Sequence, residues 1–240
     1  MARSFDASLF QYLQAATVGI TNYPFTIACW AKVLDKDDAR NLVFFGNDAA
    51  PFPKSQRIVM NATAGVGKAR ARSTSTSTGF AECSVEYTIG QWHHICGRFA
   101  SSTSRAVNMD GDPVTQGNNS DNIAFPSPID RLYIGYSLNN AHPFNGEIAE
   151  VAIWNVALSD AQVSQLGADE VSPLLIAREN LVHYWPLIDN DEDTVGGLVV
   201  SAINSPTFTP HPFPVIVSQS APAAGSTMDA SGILRAAVIP

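Results

Sequence analysis

The sequence predicts an all-β domain: an antiparallel β-sandwich with one short helix and an extended C-terminal arm. Three observations carry that prediction. First, from Ile148 the residues alternate, with Ile148, Glu150, Ala152 and Trp154 on one side and Ala149, Val151, Ile153 and Asn155 on the other, the period of a pleated strand. Second, charged residues make up only 15% of the 240 residues and hydrophobic ones 45%. Short apolar runs are separated by Ser, Thr, Asn, Gly and Pro, the composition of many strands joined by tight turns. Third, Ser159 opens Ser-Asp-Ala-Gln, an S-x-x-Q capping box whose hydroxyl and amide satisfy the free backbone donors of a helix start.

In chain order, strands are predicted over Ser4–Asp6, Gln11–Ala16, Phe25–Leu34, Asn41–Gly46, Arg57–Ala62, Lys68–Thr74, Glu82–Tyr87, His93–Ser101, Arg105–Met109, Arg131–Ser137 and Ile148–Val156. Turn signals lie between them at Asn47-Asp48, across Asn108 to Gly111, at Asn139-Asn140 and at Gly146. The helix covers about Asp160–Leu166. A short turn begins at Ser172-Pro173, with Ser as cap and Pro at the first helical position. Leu181–Leu187 then reads as a closing strand.

Composition changes after about Val200, which divides the chain into a sandwich over residues 1–200 and an arm over 201–240. The arm holds six of the 15 prolines, no Trp or Tyr, and two formal charges, Asp229 and Arg235. Proline removes backbone donors and fixes φ, so regular helix is excluded. Phe208, Phe213, Val215, Ile216 and Val217 make the arm too apolar for a solvated linker. An extended segment lying on the domain or on a neighbouring subunit accounts for both properties, and the final ILRAAVIP fits the same description.

Phrases in fixed order carry a resemblance. FNGEIAEVAIWNVALS resembles the F-x-G-x-I-x-E-V-x-I-(W/Y)-N-x-A-L-S signature of laminin-G-like and pentraxin-like domains, of the concanavalin-A-like jelly-roll class. RSFDASLFQYLQ is similar to that family's opening strand pair and FTIACWAKV to its F-T-I-S-A-W-V-K strand. GQWHHICGRFASSTSRAVNMDGDPV is similar to its W-H-H hairpin, and LVHYWPL to its returning strand. The resemblance spans residues 3–190 and implies a jelly roll known mainly as a binding and structural module. One sandwich hosts many activities, so function must be argued from a site.

A net charge of −8 argues against nucleic-acid backbone as partner, since phosphate binding needs concentrated Lys and Arg. The one basic cluster, Lys68, Arg70 and Arg72, alternates along a strand and so lines one face. It reads either as a solvated sheet face or as a local anionic contact. Three cysteines, Cys29, Cys83 and Cys96, contain no C-x-x-C pair, so neither zinc nor redox chemistry is signalled. They read as buried thiols, or as one disulfide between Cys83 and Cys96. MARSFDASLFQYL shows no signal-peptide pattern and no apolar run is long enough to span a bilayer. The expectation is a chain made in a cytoplasm, without a membrane partner.

His93 and His94 draw attention as ligands or bases. Neighbours on a strand face opposite ways, so structural roles near Trp92 are expected. His142, His183 and His211 stand alone in sequence. Jelly-roll glucanases use paired carboxylates, but Glu147 and Glu150, three apart on a flat strand, fall on opposite faces. Asp189, Asp191, Glu192 and Asp193 form an acidic loop, read as a solvated turn or as oxygen ligands for a hard cation. The resemblance raises calcium, with Asp110, Asp112, Asn118, Asn119, Asp121, Asn139 and Asn140 as candidates, yet no D-x-D-x-D-G loop occurs. Trp30, Trp92, Trp154 and Trp185 fall in strands, where core packing competes with a role as sugar platforms.

No catalytic, cofactor or metal residue is therefore assigned. The expectation is a non-enzymatic structural or binding module, a bacteriophage virion surface protein decorating a capsid or tail. It would dock on neighbours such as a major capsid protein and form a homo-oligomer. The alternative is a carbohydrate-binding module or adhesin recognising host-surface glycans.

Overall fold

The computed structural model of the chain describes residues 1–47, 54–63, 65–137 and 142–212. In order, the strands are β1 (Ala2–Phe5), β2 (Tyr12–Ala15), β3 (Phe25–Val33), β4 (Arg40–Asn47), β5 (Lys54–Thr63), β6 (Val66–Thr74), β7 (Thr78–Glu82), β8 (Trp92–Ser101), β9 (Ser104–Met109), β10 (Gly117–Asn119), β11 (Arg131–Ile134), β12 (Gly146–Trp154), β13 (Leu181–Trp185), β14 (Ser201–Ile203) and β15 (Thr207–Thr209). The α-helix α1 covers Asp160–Gly167. Two antiparallel sheets result. The first runs β10-β9-β8-β3-β12-β1-β15, with β13 beside the far half of β12. The second runs β14-β2-β11-β4-β5-β6-β7.

Period-two patterning explains how the sheets face each other. Along β3, Phe25, Ile27, Cys29 and Val33 are completely buried in the main core, as the apolar alternation of FTIACWAKV predicts. Val43, Phe45, Ile58, Met60, Leu132 and Ile134 answer from the second sheet. Phe25 stacks on Phe99 at 4.5 Å between centroids and meets Phe45 edge-on at 5.2 Å, joining the sheets by aromatic contact. A second apolar cluster forms on the outer side of the first sheet. There α1 sets Val163 and Leu166 over Ala28, Cys96, Ala152 and Trp154. The capping box at Ser159 and Gln162 is present with both reciprocal bonds. All three cysteines are free and buried, Cys29 and Cys83 in the main core and Cys96 beneath α1.

Several elements differ from the sequence reading. β12 is not flat. Its pairing with β3 shifts between Ala149 and Ala152, and Glu150 takes φ 54. This bulge resets the alternation: Ile148, Val151 and Ile153 face the main core, whereas Ala149, Ala152 and Trp154 face outward. Gly146 belongs to the strand rather than to a turn. Its φ is 147, and a Cβ there would lie 2.0 Å from the Lys32 carbonyl oxygen, so only glycine fits. β7 ends at Glu82, where the reading had a strand begin, and β10 is an added short edge.

The sheets also continue past residue 200, where the reading placed a boundary. β14 pairs with β2 and β15 pairs with β1; Gln11 donates to the Asn204 carbonyl between them, and Arg3 reaches the Pro206 carbonyl and stacks over the Phe208 ring at 3.9 Å. Phe213, Val215, Ile216, Val217, Asp229, Arg235 and ILRAAVIP lie outside the described residues, as do Asp48 and Asn139-Asn140 of two expected turns. No helix among the described residues is long and apolar enough to cross a membrane.

Candidate functional site

The sandwich brings most sequence-flagged polar residues into structural pairs. His93 accepts from the Thr88 amide at 3.0 Å and faces Asp110 at 2.8 Å, while Asp110 also accepts from the His94 amide. One carboxylate thus pins both neighbours, which face opposite ways as expected. Asp112 caps the turn Pro113–Thr115, Gln116 donates to Asn118, and Asn119 binds both Arg105 and Asp121. His142 faces Asp38 at 2.8 Å. In the acidic loop, Asp191 is held by Arg3, its Oδ1 accepting from Nε at 2.6 Å, and Asp193 turns inward to His183. Glu192 lines a shallow pocket beside them, its own amide donating to Asn190 at 3.0 Å. Among the described residues, no three His, Cys, Asp or Glu side chains converge as metal ligands.

The four tryptophans divide. Trp185 is fully buried in the main core, and Trp154 lies under α1 with its indole donating to the Ile176 carbonyl at 2.8 Å. Trp30 and Trp92 instead sit on the outer face of the first sheet, around Ala2 and Ala149. Trp30 is nonetheless buried at 9% exposure, so packing describes three of the four and only Trp92 is partly exposed.

Beside Trp30 that outer face opens into a pocket of about 440 Å³, within the size range of small-molecule sites. β3 contributes Trp30, β8 His94, β12 Glu150 and β13 Tyr184, while the loop after α1 contributes Glu170 and the C-terminal segment His211. The β12 bulge puts Glu150 here. Glu150 accepts from the Tyr184 hydroxyl and pairs with His211 Nε2 at 3.0 Å. Burial, with the Glu150 charge next in effect, pushes the Tyr184 phenol far above its usual range. His94 lies 5.4 Å from Trp30 between ring centroids, its buried Nδ1 without a hydrogen-bond partner. Burial lowers the His94 imidazole to about 4, so the ring is neutral at pH 7 and offers one donor and one acceptor.

Because of the bulge, Glu147 and Glu150 do not fall on opposite faces as expected. Glu147 pairs with Lys32, its register neighbour on the outer face, at 2.7 Å. It does not line the pocket that holds Glu150. Nothing in the sequence marked Glu150 as displaced, because a non-glycine residue at positive φ leaves no pattern. His211 was missed because its partner lies 61 residues earlier, beyond any local spacing.

The basic cluster also finds its place. Lys68, Arg70 and Arg72 share the outer face of the second sheet, and the first two converge on Glu82 at 3.9 and 2.5 Å.

Comparison with known proteins agrees with this architecture. Residues 6–164 match the laminin-G-type family model of the concanavalin A-like lectin/glucanases superfamily. No curated protein sequence matches the chain. Among solved structures, a heptameric SAP-like pentraxin from Limulus polyphemus is similar at TM-score 0.56 and 16% identity, covering 83% of this chain and 91% of that one. Domain 4 of AbnA, an extracellular arabinanase from Geobacillus stearothermophilus, in complex with arabinotriose, is similar at 0.52 and 20% identity over 65% and 72%. Tailspike protein 2 of an Escherichia coli O157:H7 bacteriophage is similar at 0.57 and 12% identity. That match covers 80% of this chain and 29% of the tailspike. At such identities the likeness is one of fold.

Proposed function

The chain belongs to the concanavalin A-like lectin/glucanases superfamily, and on that premise we propose that it is a non-enzymatic binding module, carried on the surface of a bacteriophage particle, that recognises a host-surface glycan. The outer-face pocket carries this reading. It combines an aromatic wall at Trp30 with Glu150, His94 and Glu170 as polar groups, which suits a sugar ring with one apolar face and a rim of hydroxyls. The unsatisfied Nδ1 of His94 supplies a contact that the protein itself leaves unused. A domain of like fold in complex with arabinotriose, and another within a phage tailspike, are consistent with glycan recognition and with a virion setting.

The test is a glycan array probed with and without calcium, repeated with Trp30→Ala. Binding of defined oligosaccharides that falls at least tenfold in the variant supports the reading. Binding that survives the substitution, or no binding to any glycan, overturns it. Loss of binding only when calcium is removed would show that a cation takes part.

A second reading, assembly on neighbouring virion proteins, is favoured by the composition of residues 201–240, apolar and nearly uncharged. Partners would be a major capsid protein or further copies of this chain. The mass of the particle-free protein in solution tests the self-associating form.

A further inference from the structure

The outer face of the second sheet carries a transverse row that crosses five strands. Cross-strand register places Tyr133 beside Phe44, Phe44 beside Arg57, Arg57 beside Arg72, and Arg72 beside Phe80. Residues directly opposite on antiparallel strands lie about 5 Å apart at Cα, and like charges so placed repel. The two arginines are nevertheless adjacent in a chain of net charge −8. Glu82 does not neutralise them, because Lys68 and Arg70 already share it. Among the described residues, neither Arg57 nor Arg72 has a carboxylate within ion-pair distance. The Nε of each is buried without a hydrogen-bond partner. Among the described residues, Arg57 donates one hydrogen bond, a long one of 3.5 Å from Nη1 to Asn41 Oδ1.

The electrostatics agree with that geometry. Burial lowers both guanidinium groups; the Arg72 charge adds to this for Arg57, which falls to about 9, and the Arg70 charge adds to it for Arg72. Two desolvated cations side by side are costly for the fold unless something anionic joins them.

We propose that Arg57 and Arg72 form a binding site for the carboxylate of an acidic sugar. A planar carboxylate matches the guanidinium fork and can accept from both arginines at once. The flanks then select what carries that carboxylate. Phe44 lies under Arg57, 5.9 Å from guanidinium carbon to ring centroid. On the other side Phe80 has the Arg70 guanidinium over its ring at 4.2 Å and is still 40% exposed, which leaves ring surface for the C–H face of a pyranose. A bare inorganic anion would leave Phe80 unused. The assignment rests on the glycan-binding reading above but uses a different face of the sandwich, so the two can fail separately.

The test is titration of the full chain with methyl glucuronide and N-acetylneuraminic acid, with methyl glucoside, acetate and a glutamate-rich peptide as comparators. The expected result is binding of the sugar acids at least tenfold tighter than of methyl glucoside or acetate. Binding should weaken at least tenfold in Arg72→Met and also in Arg72→Lys, which keeps the charge but loses the fork. Arg72 is half-buried, so unchanged thermal melting of both variants confirms that the loss is local. Equal binding of acid and neutral sugars, acetate binding as tightly as the sugar acids, or preference for the peptide each overturns the proposal. Neutral glycans that depend on Trp30 but ignore Arg72 would overturn this site alone. Failure of every saccharide would overturn both readings.

Discussion

His183 and Asp193 lie side by side in the closed end of the sandwich, with Nδ1 and Oδ2 2.6 Å apart. The Asp193 side chain is completely buried. The same carboxylate accepts from the backbone amides of Tyr184, Val195, Gly196 and Leu198, at 2.9, 3.1, 3.0 and 2.9 Å. The other imidazole nitrogen meets the Val18 carbonyl at 2.9 Å. One acid thus ties the turn after β13 to both β13 and the loop after β2.

This arrangement makes stability sensitive to acid. Burial pushes the Asp193 carboxyl up, but its bonds to His183 and to the amides of Tyr184, Leu198 and Gly196 prevail and hold it well below the usual carboxylate range. A group depressed in the folded state stabilises above its unfolded value, 3.8, and loses that contribution as pH falls through the folded value. Urea midpoints should therefore drop below about pH 4, and Asp193→Asn should flatten that dependence. Asp193→Ala should cost about 3–5 kcal/mol at neutral pH by leaving the amides and imidazole unpaired. A variant midpoint as acid-sensitive as wild type would refute the assignment.

Ile27 is completely buried between the sheets. Truncation to Ala should cost about 2–5 kcal/mol in denaturant unfolding. A loss under about 0.5 kcal/mol, within the range of ordinary surface changes, would mean that the wrong face of β3 had been placed inside.

The β12 bulge can be tested by backbone preference. At φ 54, Glu150→Gly should be more stable than Glu150→Ala by about 1 kcal/mol, since only glycine enters this region without steric cost. In a flat strand the order would reverse. Calorimetry of the pair decides it.

The chain should release no reducing ends from any oligosaccharide it binds. Release abolished by Glu150→Gln or Glu170→Gln would make the outer-face pocket catalytic.

Ends of the chain should separate fold from assembly. A protein stopped at Val200 lacks β14, β15 and the partners of Arg3, and should melt well below the full chain. One stopped at Pro212 keeps every described strand and should retain the sheet spectrum while losing oligomers or particle attachment. If it assembles like the full chain, residues 213–240 are not the assembly element.

Much of this fold was legible because local periodicity encodes it. Phe25, Ile27, Cys29 and Val33 announce a buried face, and Ser159 with Gln162 announces a helix start. The site was far less legible. Glu150 reaches its pocket through a positive φ that no residue type signals. The aromatic and arginine row draws on Tyr133, Phe44, Arg57, Arg72 and Phe80, set side by side only by register. Of that row only Arg72 could be read, through its alternation with Lys68 and Arg70, and that identified the face but not the neighbouring Arg57.

The pairing of β1 has a consequence for how the molecule comes into being. Residues 2–5 find their hydrogen-bond partners only at 146–148 and 207–209. During synthesis β1 must therefore wait, with its edges open, until those partner strands have been made. Ladders of such long sequence separation close slowly, and open strand edges invite pairing with other molecules. Refolding from denaturant should accordingly be slow and concentration-limited, and the last contacts to form should be those joining Arg3 to Pro206 and Phe208.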